Sequence, residues 1–65
     1  MKYFNKKILI TGASSGLGKT LAKSYAKEGG TIINLSRNIE KMKSLNYDLN
    51  ILHKSNHQFF SVDVS

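Results

Sequence analysis

The sequence predicts an α/β fold in which short parallel strands alternate with helices, and three observations carry that prediction. Three runs, KILIT (7–11), TIINLS (31–36) and QFFSVDV (58–64), have the length and the β-branched or aromatic content of strands. The two intervals between them carry apolar residues at three- and four-residue steps, the period of a helix. A glycine-rich turn, TGASSGLG (11–18), joins the first run to the first interval. The resulting order is β-α-β-α-β, in which helical crossovers allow the strands to pair in parallel.

Met1 to Asn5 is a polar lead-in containing Tyr3 and Phe4, and no chemistry is assigned to it. Lys7–Thr11 is a continuous apolar run of the kind buried on both faces of a parallel sheet. At its end Gly12, lacking a Cβ, permits a sharp turn with positive φ. Gly16 allows an anion to approach the main chain, and Gly18 allows the first helical turn to pack closely. From Gly16 to about Lys27, Leu17, Leu21, Ala22, Tyr25 and Ala26 fall on one face of a helix, with Lys19, Lys23 and Lys27 elsewhere. Gly29 and Gly30 stop that helix.

Thr31–Ser36 is the second strand, followed directly by Arg37. Asn38 is a suitable N-cap for the second helix, and Glu40 in its first turn complements the dipole. Ile39, Met42, Leu45, Leu49 and Leu52 keep helical spacing to about Lys54, with a break or fraying expected at Asn46–Asn50. Ser55, Asn56 and His57 form a polar joint before the third strand, Gln58–Val64. Tyr25, Phe59 and Phe60 are expected in the core.

Composition narrows the possible roles. A chain of 65 residues is one small unit, and at that size only about 60% of the unfolded surface is buried. There is no cysteine, which excludes disulfides and thiolate metal sites. No apolar run approaches the roughly 20 residues that span a bilayer, so no membrane association and a cytoplasmic location are expected. The formal charge is +6, but the lysines are dispersed along the chain and accompany no nucleic-acid motif, so no nucleic-acid partner is expected. His53 and His57 have the spacing of a helical zinc pair without a third ligand, and no metal site is assigned.

Two phosphate-binding motifs can be written over the glycine turn. ASSGLGKT (13–20) satisfies a relaxed Walker A pattern in which Ala13 replaces the first glycine, and FFSVD (59–63) would then serve as the acidic strand that holds magnesium. That reading leaves Gly12 and Gly16 without a task. TGASSGLG (11–18), with its TGxxxGxG spacing after a strand, uses all three glycines, and it resembles the cofactor fingerprint of the short-chain dehydrogenase/reductase family.

The resemblance implies a fold and a site. The fold is the N-terminal β-α-β-α-β half of a Rossmann doubly wound parallel sheet, with residues 1–65 forming part of a dinucleotide-binding domain. It places Gly12, Ser14, Ser15, Gly16, Leu17 and Gly18 around the cofactor phosphates. At the end of the second strand, where an acid would select NAD, stand Ser36 and Arg37, which implies NADP(H) in preference to NAD(H), because a guanidinium pairs with the 2′-phosphate. Asp63 and Val64 match the family's Asp-Val pair at the adenine.

The family's hydride transfer between nicotinamide and a carbonyl or alcohol implies a small-molecule substrate and allows a homo-oligomer. Its tyrosine–lysine pair four residues apart has no match after the glycine motif: Tyr25 is followed by Gly29 and Tyr47 by Ile51. No catalytic residue is therefore assigned, and the 65 residues alone are expected to be inactive, as a fragment of a longer single-domain reductase. The alternatives are a P-loop nucleotide hydrolase fragment and a non-catalytic nucleotide-binding module.

Overall fold

The computed structural model describes residues 2–13 and 16–62. Its elements are β1 (Lys7–Thr11), α1 (Gly16–Lys27), β2 (Thr31–Ser36), α2 (Ile39–Leu52) and β3 (Gln58–Ser61). The strands form one parallel sheet in the order β1-β2-β3. Lys7 is level with Thr31 and Thr11 with Leu35, while Ile33 is level with Gln58 and Ser36 with Ser61. The pairing continues past β3, where Val62 N–H donates to Ser36 O at 2.9 Å.

Both helices lie on one face of the sheet, packed against each other and against the strands. Alternation along the strands therefore divides their side chains. Ile8, Ile10 and Ile32 face the helices and join Ala13, Ala22, Ala26, Leu45 and Leu49 in the core. Met42 is also fully buried. The other face is open: Leu9 is 62% and Phe60 50% exposed, with half-buried Ile33 and Leu35 between them. This corrects two expectations from the sequence. β1 is covered on one face among the described residues, and of the two phenylalanines only Phe59 is half-buried. The reason is that both crossovers place their helices on the same side.

α1 ends in a Schellman motif, with Gly29 N–H donating to Ala26 O at 3.0 Å, Gly30 N–H donating to Tyr25 O at 2.9 Å, and Gly29 at φ 88°. Tyr3, in the lead-in segment, donates its N–H to Glu28 O at 2.7 Å and stacks edge-on against Tyr25 with ring centroids 5.0 Å apart. α2 begins at Asn38, whose Oδ1 accepts from Lys41 N–H at 3.0 Å. The break expected at Asn46–Asn50 does not occur. Leu45 and Leu49 are buried, and Asn50 Nδ2 donates to Asn46 O at 3.0 Å, so packing outweighs the weak local propensity of the two asparagines. The helix stops at Leu52, short of Lys54, with His53 as its C-cap.

The joint between α2 and β3, polar in sequence, sends one side chain into the interior. His57 is 6% exposed. Its Nδ1 accepts from Ile32 N–H at 2.9 Å, and its Nε2 lies 2.7 Å from His53 O. Because the amide only donates and the carbonyl only accepts, this pair of contacts selects the tautomer with its proton on Nε2. Ile32 N–H lies on the β3 side of β2, one step before β3 begins, so the imidazole takes the place of a ladder acceptor. Beside it Thr31 and Ser55 share a hydrogen bond through their hydroxyls, and Ser55 N–H donates to Asn50 Oδ1 at 3.2 Å. Both ring nitrogens of His57 are thus engaged by the backbone.

Replacing His57 with phenylalanine leaves Ile32 N–H and His53 O without partners in a buried setting. Each such loss is worth about 1–3 kcal/mol, so His57→Phe is expected to lower the urea midpoint clearly. Lys23→Ala removes an exposed 3.7 Å pair with Asp48, an interaction worth at most about 1 kcal/mol, and is expected to shift the midpoint far less. Equal midpoints for His57→Phe and the parent protein would show that the imidazole is not a structural clasp.

Candidate functional site

The site residues gather where the carboxyl ends of β1 and β2 meet the start of α1. Gly12 N–H donates to Leu35 O at 2.8 Å, which holds the beginning of the turn to the end of β2. Gly12 has φ 71° and Gly16 φ 59°, both in the left-handed region, and among the described residues a Cβ built on either would meet no atom within 4 Å. These two positions favour glycine for their backbone conformation. Gly18 differs. A Cβ there would lie 2.7 Å from Gly12 O and 3.0 Å from Ala13 Cα, so the first turn of α1 rests directly on the β1–α1 connection.

This arrangement brings the N-terminus of α1, with its unpaired N–H groups and positive dipole end, to the edge of the sheet. Such a helix start receives anions, phosphates above all. Thr20 turns its hydroxyl back onto Gly16 O at 3.4 Å. Leu17 stands 74% exposed beside the turn, and Leu21 is also exposed, so the apolar stripe read from the sequence is wider than the face of α1 that the described residues cover.

At the end of β2, Ser36 Oγ accepts from Asn38 N–H at 3.3 Å, which ties the strand end to the N-cap of α2. Arg37 is exposed immediately beyond it. The turn and the Ser36–Arg37 step therefore lie at the same end of the sheet, joined by the Gly12–Leu35 hydrogen bond. Ser14, Ser15, Asp63 and Val64 lie outside the described residues. Among the described residues there is no group of three metal-ligating side chains, and no helix is long and apolar enough to cross a membrane.

Residues 6–65 match the short chain dehydrogenase family, and the chain belongs to it. It is 40% identical over 57 residues to the oxidoreductase YciK of Escherichia coli K12 and 42% identical over 57 residues to an NADPH-dependent pterin aldehyde reductase of Arabidopsis thaliana. Each match takes in 88% of this chain and 23% of the relative, so the chain spans about a quarter of the length of these proteins. A crystal structure of an Escherichia coli CFT073 short chain dehydrogenase complexed with NADPH superposes with a TM-score of 0.90 at 36% identity, covering 97% of this chain and 26% of that one. L-sorbose reductase from Gluconobacter frateurii, complexed with NADPH and L-sorbose, does so with a TM-score of 0.90 at 31% identity, covering 98% and 24%. The β-α-β-α-β unit is accordingly that of Rossmann-fold short-chain dehydrogenases.

The sequence did not reveal Asn34 and His57 as buried polar residues. An asparagine in the middle of an otherwise apolar strand was the one visible sign of the first. Nothing in the spacing of His57 announced the second.

The glycines divide by mechanism, and substitution separates them. Gly12→Asn is expected to be tolerated better than Gly12→Ala, because asparagine enters the left-handed region more readily and the space is free; the penalty for alanine is about 1–2 kcal/mol. At Gly18 the order reverses, since any side chain meets Gly12 O, and the larger one is the worse. Thermal unfolding of the four variants checks this, and a common ranking at both positions would refute the distinction.

Proposed function

We propose that this chain forms the adenosine- and pyrophosphate-binding part of an NADP(H)-dependent oxidoreductase acting on a carbonyl or alcohol substrate. The observation that carries the proposal is the glycine turn. Gly12 and Gly16 hold the left-handed backbone of the turn, no atom of the described residues stands within 4 Å of a Cβ placed on either, and the N-terminus of α1 presents its N–H groups beside them, which suits a pyrophosphate. The NADPH complexes among the structural neighbours support the choice of cofactor class. Residues 12 and 14–18 would hold the phosphates, Ser36 and Arg37 the adenosine ribose with its 2′-phosphate, and Asp63 and Val64 the adenine.

The preference for NADP(H) rests on Ser36 and Arg37. A carboxylate at Ser36 would repel a 2′-phosphate; the hydroxyl does not, and the neighbouring guanidinium can pair with it in a bidentate manner. The bound nicotinamide would supply or accept the hydride. What this chain contributes is binding, orientation and the choice between the two cofactors. Residues 1–65 would then belong to one dinucleotide-binding domain of a longer reductase, since no tyrosine–lysine pair follows the glycine motif.

Arg37→Ala in the full-length protein is expected to weaken NADPH binding much more than NADH binding. One charge-assisted phosphate contact is worth about 1.5–3 kcal/mol, so the preference should fall about ten- to a hundredfold. Fluorescence titration of both cofactors measures it, and equal losses would remove the assignment to NADP(H). Lys19→Ala tests the rival P-loop reading in the same assay. It should leave NADPH affinity within about twofold, because a lysine on α1 contributes little beyond screened charge, whereas a P-loop lysine is indispensable to ATP binding.

A further inference from the structure

Asn34 occupies the centre of β2 on the face covered by the helices, level with Ile10 on one side and Phe59 on the other. It is 3% exposed, and neither Oδ1 nor Nδ2 has a hydrogen-bond partner among the described residues. The core on that face is built of Ile8, Ile10, Ile32 and apolar side chains of α1 and α2. An amide held in this way is costly, and native interiors rarely keep one without a reason. The opposite end of the same sheet makes the contrast, since buried His57 there has both nitrogens engaged.

Position suggests the reason. Asn34 precedes Ser36 by two residues, and its neighbour Ile10 precedes Gly12 by two, so the amide sits one layer beneath the turn that carries the proposed phosphate site. Ala13, just after Gly12, is fully buried in the same core. Gly12 spends its N–H on Leu35 O, and its carbonyl oxygen lies on the α1 side, against Gly18. One layer below, on the same helix-covered face, Asn34 Nδ2 is a donor without a partner among the described residues.

We propose that Asn34 is a positioning residue for the cofactor: its amide, without a partner among the described residues, takes up a hydrogen bond with the Gly12–Ala13 backbone when a phosphate group occupies the turn. This rests on the reading of the turn as a cofactor phosphate site. The residue touches no ligand and acts only through the turn. Local sequence rules are expected to fail at functional positions, and a polar residue at a core position of a central strand is such a failure.

The test uses Asn34→Leu, which keeps the branching and the number of heavy atoms and removes both polar groups, and Asn34→Ser, which keeps a donor and loses volume. Both are made in the full-length protein and assayed for NADPH affinity and for unfolding temperature without cofactor. Asn34→Leu is expected to raise the ligand-free unfolding temperature while weakening NADPH about fivefold or more, the equivalent of one lost hydrogen bond. Asn34→Ser is expected to lower the unfolding temperature while keeping NADPH within about twofold. A merely structural residue would move stability and affinity together. NADPH bound equally by Asn34→Leu and the parent overturns the inference and leaves the functional reading standing. A parent protein that fails to bind NADPH overturns that reading itself, and this inference with it.

Discussion

The rest of the structure depends on the close approach of Gly18 to the backbone of Gly12 and Ala13. With no Cβ between them, the first turn of α1 settles on the strand end, and the helix is held low over β1 and β2. The residues α1 buries are correspondingly small, Ala22 and Ala26, and Ala13 closes the corner. α2 meets the same sheet through Met42, Leu45 and Leu49, which fill a deeper space. A layer built from small side chains on one helix and large ones on the other fills its volume only if the glycine contact fixes the height of α1. The same contact delivers the N-terminus of α1 to the edge of the sheet, so one steric fact sets both the packing and the place where an anion can bind.

The two ends of the sheet are built differently. At the amino ends of the strands Thr31 N–H reaches Lys6 O, Gly30 N–H reaches Tyr25 O, His57 bridges Ile32 and His53, and Ser55 ties Thr31 to Asn50. These links anchor both connections that return to the sheet, and they use buried or half-buried groups. At the carboxyl ends Gly12 is tied to Leu35, Asn38 to Ser36 and Val62 to Ser36, links that hold each strand end in place. The amino ends are clasped through side chains that reach between elements, and the carboxyl ends carry the glycine turn. This is the usual division between a scaffold and the loops it positions.

Much of this was legible in the sequence because the signals were local. Short apolar, β-branched or aromatic runs and helical spacing located all five elements, and the limits of β1, α1 and β2 agree with the structure to the residue. In the glycine turn the positive φ of Gly12 and the close packing at Gly18 were legible, while the positive φ of Gly16, read as a place for an anion to approach, was not. What was not legible depended on partners distant in sequence. Asn46 and Asn50 look like helix breakers until Leu45 and Leu49, the residue before each, are seen buried. His57 reads as a loop histidine until Ile32 N–H, 25 residues earlier in the chain, is found donating to it. The exposure of Leu9 and Phe60 followed from which face the helices occupy, a property of topology that no single strand encodes.

That open face bears on how far the chemistry can be followed. In a doubly wound sheet the dinucleotide crosses the crevice where strand order reverses, beside the first strand. Here β1 pairs with β2 alone among the described residues. On the proposed reading, the residues of this chain therefore form one wall of the crevice, the wall that meets phosphates, ribose and adenine. Discrimination between NADP(H) and NAD(H) depends on the 2′ position of that ribose, and on the same proposed reading Ser36 and Arg37 would decide it inside this unit. The proposed substrate would be chosen by groups around the nicotinamide, away from the end of β2. On that reading the two specificities would be physically separable, and a change at the end of β2 would alter the cofactor without touching the substrate.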